Sequence, residues 1–417
     1  MSDNPSKQAP KKRKRVNVRR PDVMALVQAE VEQHYRSNIV EKIRSHGGQI
    51  TMGNTTIRLA KQFGFCYGVE RAIDLAYATR KVFSDQRIFL IGEIIHNPEV
   101  NTQLRDMGIV SLPWRKMSEE YDDINDQDVV IVPAFGAPMS FMDRLGEIGC
   151  HVIDTTCGDV MKVWRRVRDY AKKEVTSIIH GKADHEETRA TASRALGAEK
   201  NGHYLIILSL KDADYVSDYI RGKGDREDFL RKFAGAYSDG FDPDLHLIFV
   251  GVANQTTMLQ SETEELQVRV RKAVVDRDGS EEKYHVFDTI CGATQERQNA
   301  LFQMLNTKDQ SPMDLLLVVG GYNSSNTTHL AEIGEENLPT FFIRNAKCLE
   351  SLESIIHYDL EHKAEIKSDY PGLMLKDQPI VIGVTAGASC PNNLIESTII
   401  RSMELRGITS DDLTAFR

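Results

Sequence analysis

Short apolar runs alternate along the chain with longer segments whose apolar residues recur every three to four positions. The runs are rich in valine and isoleucine and have strand length, whereas the longer segments have the period of an amphipathic helix. We predict strands over residues 88–95, 129–133, 176–179, 204–208, 247–250, 315–319 and 380–384. Strands that alternate with helices are typical of parallel sheets covered by helices, in which functional groups collect at the carboxyl ends of the strands.

Three of the strand-to-helix transitions carry a cysteine. HVIDTTC ends at Cys157, and the similar HVFDTIC ends 134 residues later at Cys291. An extended stretch at 56–60 leads through GFC to Cys66, and a helical pattern follows each of the three cysteines. A repeated unit at this spacing predicts three similar α/β lobes that direct one cysteine each to a common centre.

The chemistry of these positions favours metal binding. The N-terminus of a helix stabilises a thiolate, and three converging thiolates suit a soft metal. A single strand-end cysteine is more often a small core residue, but three in matched settings favour a ligand set. Two metals fit: zinc with three thiolates and water, or a 4Fe-4S cluster with one iron left free to act as a Lewis acid.

The same periodicity divides the chain into four parts. We expect residues 1–54 to form a basic disordered tail followed by a helical extension, and residues 55–150 to form the first α/β lobe. Residues 151–284 form the second lobe, with a polar insertion at about 211–245. Residues 285–417 form the third lobe and the C-terminal segment.

Composition narrows the class of protein. With 41% hydrophobic and 27% charged residues among 417, the chain has the composition of a globular protein, and no apolar run approaches the ~20 residues that span a membrane. Six cysteines without any Cys-x-x-Cys argue against zinc ribbons, thioredoxin-type sites and a disulfide framework. We expect a reducing compartment and no signal peptide: the cytoplasm, or alternatively the plastid stroma.

Charge is distributed unevenly. Residues 1–22 carry a net charge of +6, and because the whole chain carries −9, the remainder carries −15. An acidic body repels nucleic acid, so we expect no nucleic-acid partner and interpret the basic tail as a solubilising extension that catalysis does not need.

Polar residues follow the predicted strands in several loops. Glycine- and hydroxyl-rich loops at helix N-termini offer N–H and O–H donors to an anion such as a phosphate. The candidate residues of this pocket are His96, His185, Glu187, Thr256, Ser324, Ser325, Asn326 and Ser389. No strand–GxGxxG–helix fingerprint of a hydride cofactor occurs, so reducing electrons would arrive singly, from a partner protein.

These residues lie in motifs that resemble one family, the LytB family of 4-hydroxy-3-methylbut-2-enyl diphosphate reductases. The resemblance covers residues 56–400 and rests, in order, on GFCYGVERA, GEIIHNP, DTTC, HGKADHEET, ANQTT, DTICGATQERQ, GGYNSSNTTHL and GVTAGAS. It implies a pseudo-threefold α/β trefoil of three lobes around one central iron–sulfur cluster, with an N-terminal extension.

The resemblance also implies roles for the candidate residues. Cys66, Cys157 and Cys291 match the ligands of a 4Fe-4S cluster, one per chain. The diphosphate-binding positions match His96, His185, Ser324, Asn326 and Ser389, with Ser325 beside them. Thr256 matches a threonine near the substrate alcohol, and Glu187 matches the glutamate that donates a proton.

The implied reaction is the last step of the methylerythritol phosphate route to isoprenoids. It is the reductive dehydroxylation of (E)-4-hydroxy-3-methylbut-2-enyl diphosphate to isopentenyl and dimethylallyl diphosphate. Reduced ferredoxin or flavodoxin would be the electron donor.

Two departures and two alternatives accompany this interpretation. Many family members carry a second pocket histidine where this chain has Phe135, and Gly158 replaces a proline often found after the second cysteine. The N-terminal extension and the insertion resemble the longer, plastid-type branch. The alternatives are a non-redox iron–sulfur dehydratase or condensing enzyme of quinolinate-synthase type, and a zinc-stabilised nucleic-acid-binding protein.

Overall fold

The computed structural model describes residues 16–114, 121–287, 291–307, 310–370 and 377–415. The N-terminal segment forms two helices and a hairpin: α1 (Pro21–Tyr35), α2 (Asn38–Ser45), β1 (Gln49–Met52) and β2 (Thr55–Leu59). Helix α1 begins at a proline, whose fixed φ suits the first turn, and its Val23 and Val27 are buried. Ser37 accepts a hydrogen bond from the Val40 N–H and caps α2.

The first lobe contains a four-stranded parallel sheet. Its elements are α3 (Tyr67–Val82), β3 (Ile88–Ile91), α4 (Pro98–Asp106), β4 (Ile109–Leu112), β5 (Val129–Val132), α5 (Met139–Ile148) and β6 (His151–Asp154). The strand order is β4-β3-β5-β6, and β3 and β5 consist entirely of buried residues. Strands covered on both faces have this continuous apolar character.

The second lobe repeats this arrangement and carries the insertion. Its elements are α6 (Gly158–Lys172), β7 (Thr176–His180), α7 (Glu186–Ala195), β8 (Tyr204–Ile207), α8 (Leu210–Ile220), α9 (Arg226–Lys232), α10 (Pro243–His246), β9 (Val250–Asn254), α11 (Gln260–Asp278) and β10 (Tyr284–Val286). The sheet order is β10-β9-β7-β8. The predicted insertion contains α8, α9 and α10, and buries Phe229, Phe233 and Phe241 against the lobe.

The third lobe contains a sheet that includes the two N-terminal strands. Its elements are α12 (Gly292–Leu305), β11 (Leu315–Val319), α13 (Ser325–Glu335), β12 (Thr340–Ile343), the hairpin β13 (Ser354–Asp359) and β14 (Ala364–Asp369), β15 (Ile380–Ala386), α14 (Asn392–Leu405) and α15 (Ser410–Ala415). The sheet order is β1-β2-β15-β11-β12, so the N-terminal strand β2 pairs in parallel with β15 near the other end of the chain.

The three sheets share one topology. Counted along the chain within each lobe, the four parallel strands lie in the order second, first, third, fourth, and β2 serves as the fourth strand of the third lobe. The sequence predicts the α/β class and the threefold repeat, and the parallel sheets confirm the α/β class. No helix in the described ranges is both long and apolar enough to cross a bilayer.

The sheets place three strands differently from the predicted lobe boundaries. The boundaries at 55, 151 and 285 assign β2, β6 and all of β10 except Tyr284 to the lobe that follows each of them. In the structure β6 is the fourth strand of the first-lobe sheet and β10 is the fourth strand of the second-lobe sheet. β2 is the fourth parallel strand of the third-lobe sheet, although it comes before the first lobe in the chain. Each cysteine therefore stands where the chain leaves one sheet and enters the first helix of the next lobe.

Candidate active site

The three cysteines occupy equivalent positions around one cavity. Cys66, Cys157 and Cys291 are the N-cap residues of α3, α6 and α12, and all three line the same cavity. Gly68 permits their close approach, because a Cβ at this position would lie 2.5 Å from Cys157 Sγ and 3.9 Å from Cys66 Sγ. A side chain there would collide with Cys157, so glycine is needed at this position.

Burial dominates the electrostatics of the Cys157 and Cys291 thiols. It raises the pKa of the Cys157 thiol, and backbone N–H groups of Asp159 and Val160 only partly offset the effect. The pKa of Cys291 rises to about 12, again mainly through burial. The sequence argument expected the helix N-termini to lower these pKa values; that expectation is wrong for Cys157 and Cys291, because desolvation outweighs the N–H groups.

This donor set fits a metal centre. Buried thiolates that face one another are stable only beside a strong positive charge, and a metal supplies it. Asp159 adds a feature that the sequence argument missed: Cys291 Sγ–H donates to Asp159 Oδ2 at 3.3 Å, and Lys162 Nζ lies 2.6 Å from Asp159 Oδ1. Asp159 occupies the second position of α6, two residues after the candidate ligand Cys157, and this position in the sequence could have indicated that it lies near the site.

Glu187 lies in the same cavity and is almost completely buried, at 1% exposed. Its carboxylate accepts the Thr256 backbone N–H at 2.6 Å and the Thr256 hydroxyl at 3.0 Å. Burial raises its pKa to about 7, although both hydrogen bonds from Thr256 act in the opposite direction. A carboxyl group with a pKa near neutrality can both hold and release a proton under physiological conditions.

The two candidate histidines face each other. His96 Nε2 and His185 Nε2 are 3.1 Å apart, and His185 Nδ1 accepts the Glu187 N–H at 3.1 Å. The pKa of His185 lies well below its usual value, because the ring is buried beside His96 and Lys182. Its Nδ1 is an acceptor, so the Nε2–H of the neutral ring is directed towards His96.

Three residues that were not assigned from the sequence surround the His96 ring. Glu93 Oε2 lies 3.1 Å from His96 Nδ1, and Glu186 Oε2 lies 3.2 Å from His96 Nε2. Asn323 Nδ2 donates to Glu93 at 2.9 Å. Glu93 and Glu186 sit within the quoted motifs GEIIHNP and HEET, so their proximity to the histidines in sequence was a usable signal.

Phe135 contacts both candidate histidines through its ring. Its ring lies over His96 with a centroid distance of 4.2 Å and an interplanar angle of 21°. It also meets His185 edge-on at 5.7 Å. The phenyl ring therefore fixes the orientation of His96 through an aromatic contact rather than through an additional polar group.

Hydroxyl and amide groups of the third lobe line the cavity beside His96. Ser389 Oγ donates to the His96 carbonyl at 3.2 Å and lies 3.3 Å from Ser324 Oγ. Asn326 Oδ1 accepts the Ala388 N–H at 2.8 Å. Its Nδ2 is buried and has no hydrogen-bond partner among the described residues, which leaves a donor available for a ligand.

The structure brings all the predicted site residues together. The cavity is lined by Cys66, Cys157, Cys291, His96, His185, Glu187, Thr256, Ser324, Ser325, Asn326 and Ser389. Ser325 Oγ accepts a hydrogen bond from Gln255 Nε2 at 3.4 Å. Residues from all three lobes contribute, because each places the carboxyl ends of its strands at the centre.

Comparison with known proteins identifies relatives over most of the chain. A sequence model of the LytB protein family matches residues 57–404. A 4-hydroxy-3-methylbut-2-enyl diphosphate reductase of Thermosynechococcus vestitus is 44% identical over 388 residues, which cover 92% of this chain and 93% of that protein. Proteins of the same name from Prochlorococcus marinus (45% identical, 90% of each chain) and Gloeobacter violaceus (44% identical, 94% of this chain and 92% of the relative) are equally similar.

Two solved structures share the fold. A structure of (E)-4-hydroxy-3-methyl-but-2-enyl diphosphate reductase, the terminal enzyme of the non-mevalonate pathway, superposes with a TM-score of 0.51 at 25% identity, over 84% of this chain and 100% of that one. The E-1-hydroxy-2-methyl-but-2-enyl-4-diphosphate reductase of Plasmodium falciparum gives a TM-score of 0.59 at 21% identity, over 85% and 90%. Neither alternative class gains support from these relatives. The resemblance found in the sequence is confirmed: this chain belongs to the LytB family.

Proposed function

We propose that this protein is a 4-hydroxy-3-methylbut-2-enyl diphosphate reductase. It removes the hydroxyl group of (E)-4-hydroxy-3-methylbut-2-enyl diphosphate with two electrons and two protons, and releases water with isopentenyl or dimethylallyl diphosphate. The observation that carries this proposal is the convergence of three N-cap cysteines with a buried glutamate of raised pKa in one cavity. The names of the relatives support the choice of substrate.

Cys66, Cys157 and Cys291 would hold a 4Fe-4S cluster through one thiolate each. When bound, such a cluster supplies single electrons and an iron that no protein residue ligates, which acts as a Lewis acid. The three cysteines can hold a cluster only if they remain reduced. This requirement favours a reducing compartment, the cytoplasm or the plastid stroma.

The diphosphate group would occupy the wall formed by His96, His185, Ser324, Asn326 and Ser389. These groups offer N–H and O–H donors, and the buried Asn326 Nδ2 lacks a partner among the described residues. Ser325 lies at the first position of α13, where free backbone N–H groups favour an anion. No lysine or arginine occurs among the described residues that line this cavity, so neutral donors and imidazole rings would carry the recognition.

Glu187 would supply the proton that departs with the hydroxyl oxygen. Hydroxide is a poor leaving group, and a positioned acid lowers the barrier to its departure. The raised pKa keeps a substantial fraction of Glu187 protonated near neutral pH. Thr256 holds the carboxyl group through its backbone and its hydroxyl, and would so fix the position from which the proton is delivered.

The two electrons would come from reduced ferredoxin or flavodoxin, one at a time. The sequence has no hydride-cofactor fingerprint, which favours a protein donor over a nicotinamide.

The test is an anaerobic assay of the purified, iron-loaded protein with the diphosphate substrate. Reduced methyl viologen serves as electron source, and absorption and EPR spectra are recorded with and without substrate. We expect an iron–sulfur spectrum that changes on substrate addition, and electron-dependent formation of both C5 diphosphates. Product formation without an electron source would instead indicate the non-redox dehydratase class. A colourless protein that contains only zinc would contradict the proposal.

A further inference from the structure

The outer side of the three cysteines is thinly covered. The first residues of α3, α6 and α12 are Tyr67, Gly158 and Gly292, each directly after a cysteine. At Gly158 and Gly292 a Cβ would meet no atom within 4 Å, and Tyr67 is 72% exposed. Another protein can therefore approach the backbone next to Cys157 and Cys291 closely.

A basic face of α6 borders this opening. Lys162, Arg165 and Arg166 are exposed and have the i, i+3, i+4 spacing that places side chains on one face of a helix. Lys162 pairs with Asp159, which contacts Cys291 Sγ, so the basic face begins two side chains away from a candidate cluster ligand. Positive charge thus lies beside the route by which electrons would have to enter.

Exposed aromatic groups accompany these charges. The Arg166 guanidinium lies 3.8 Å from the centroid of the Phe287 ring, and Phe287 is 39% exposed only four residues before Cys291. An exposed aromatic ring stacked with arginine is a combination typical of protein interfaces, where aromatic residues and arginine are enriched. Tyr67 supplies a second exposed ring beside Cys66.

The charge of this face contrasts with that of the whole chain. Helix α6 carries five lysines and arginines against two aspartates, whereas the chain carries a net charge of −9. Such a local basic face attracts an acidic protein and orients it, while the remaining acidic surface repels it. The same acidic surroundings disfavour a nucleic acid, which would have to extend beyond this small patch.

We propose that Tyr67, Lys162, Arg165, Arg166 and Phe287 form the docking surface for a small acidic protein that carries one electron per encounter. This proposal rests on the proposed reductase function, which consumes two electrons for each substrate molecule. Two carrier molecules are oxidised in succession, and the substrate gains two electrons and two protons and loses water. The occupant is an acidic carrier because the charges on the face are basic and the site behind it requires electrons.

The experiment compares two electron sources in the iron-loaded protein. One is a reduced plant-type ferredoxin, an acidic protein that must dock; the other is reduced methyl viologen, a small molecule that need not. The variants Arg165→Glu and Arg166→Glu change the face without touching the cavity. Lys272→Glu is the control, because Lys272 is exposed and lies in the C-terminal half of α11, outside the proposed surface.

We expect both variants to raise the KM for ferredoxin at least about fivefold and to weaken its dependence on salt, as for charges at the rim of an interface. Turnover with methyl viologen should stay unchanged, and Lys272→Glu should match the parent protein with both donors. An unchanged ferredoxin KM in both variants would overturn the docking surface alone. An equal loss with both donors would also overturn it, because the fault would then lie in catalysis. Absence of viologen-driven turnover in the parent protein would overturn the reductase function and the docking proposal with it.

Discussion

The Glu187 carboxylate holds Thr256 by two hydrogen bonds, one from its backbone N–H at 2.6 Å and one from its hydroxyl at 3.0 Å. Glu187 lies in the first turn of α7, which follows β7, and Thr256 lies in the loop after β9; β7 and β9 are adjacent strands of the second sheet. This double contact fixes the plane of a buried carboxyl group beside the cysteines. A fixed acid of raised pKa is suited to a single proton transfer at a defined atom.

Replacing Glu187 tests this role. Glu187→Gln keeps the size and most hydrogen bonding of the side chain but removes the acidic proton. We expect the variant to retain its iron and bind substrate, while turnover falls roughly 100-fold or more, the scale of a positioned acid. Iron content, substrate affinity and kcat are measured on the same preparation. Near-normal turnover at full iron content would exclude Glu187 as the proton donor.

The pH dependence of turnover should carry the signature of the same residue. Burial raises the pKa of Glu187 to about 7, so the protonated form predominates below this pH and disappears above it. Since the protonated form is the donor, kcat should decrease as pH rises from about 7 to 9. The residual activity of Glu187→Gln should lack this decrease. Parallel profiles for the two proteins would assign the titration to another group.

The cysteines make a prediction about iron content. Cys157→Ser should lose most of its iron and its brown colour, because an alcohol is a poor ligand for a soft metal site. Cys150→Ser is a matched control, since Cys150 is buried in the core of the first lobe and stands outside the cavity. Iron analysis and the absorption spectrum distinguish them. A normal iron content in Cys157→Ser would contradict the ligand assignment.

The anion-binding wall is tested through Asn326. Asn326→Ala removes the buried donor Nδ2, and the lost hydrogen bond to a charged group costs about 1–3 kcal/mol. Substrate affinity should therefore fall by a factor of about 5 to 150. Asn337→Ala, just beyond the other end of α13, should leave the affinity unchanged. Anaerobic titration calorimetry gives both values, and equal affinities would place the diphosphate elsewhere.

The N-terminal tail can be shortened, but only to a defined point. The sequence argument expected residues 1–22 to be dispensable for catalysis. Residues 1–15 lie outside the described part of the chain, whereas Val18 is 2% exposed and packs in the first lobe with Val23 and Val27. Burying a valine stabilises a protein by about 1.5–3 kcal/mol.

We therefore expect deletion of residues 1–15 to leave both activity and melting temperature unchanged. Deletion of residues 1–22 should leave the chemistry intact but lower the melting temperature by several degrees. Thermal melts and viologen-driven assays of the two truncated proteins check this pair. Equal melting temperatures would mean that the burial of Val18 contributes no measurable stability.

Much of this architecture is readable in the sequence because it depends on local chemistry. A strand, a helix and the residue that joins them are determined by the spacing of apolar positions and by backbone conformation within a few residues. Cys66, Cys157 and Cys291 are therefore recognisable as helix caps from the sequence alone. The repetition of this unit, and the polar loops after the strands, indicate where the site lies.

Other features depend on contacts between distant parts of the chain. The pairing of Thr55 with Ile380 places β2 in the third lobe, and no periodic pattern specifies that partner. The positions of Glu186 beside His96 and of Asp159 beside Cys291 follow only from the packing of one lobe against another. Phe135 reaches His96 within the first lobe, where β3 pairs with β5. Burial likewise decided the direction of the pKa shifts of Cys157, Cys291 and Glu187. Desolvation depends on every group that surrounds a side chain, so only the tertiary structure determines it. A helix terminus, in contrast, is a local feature that the sequence already indicates.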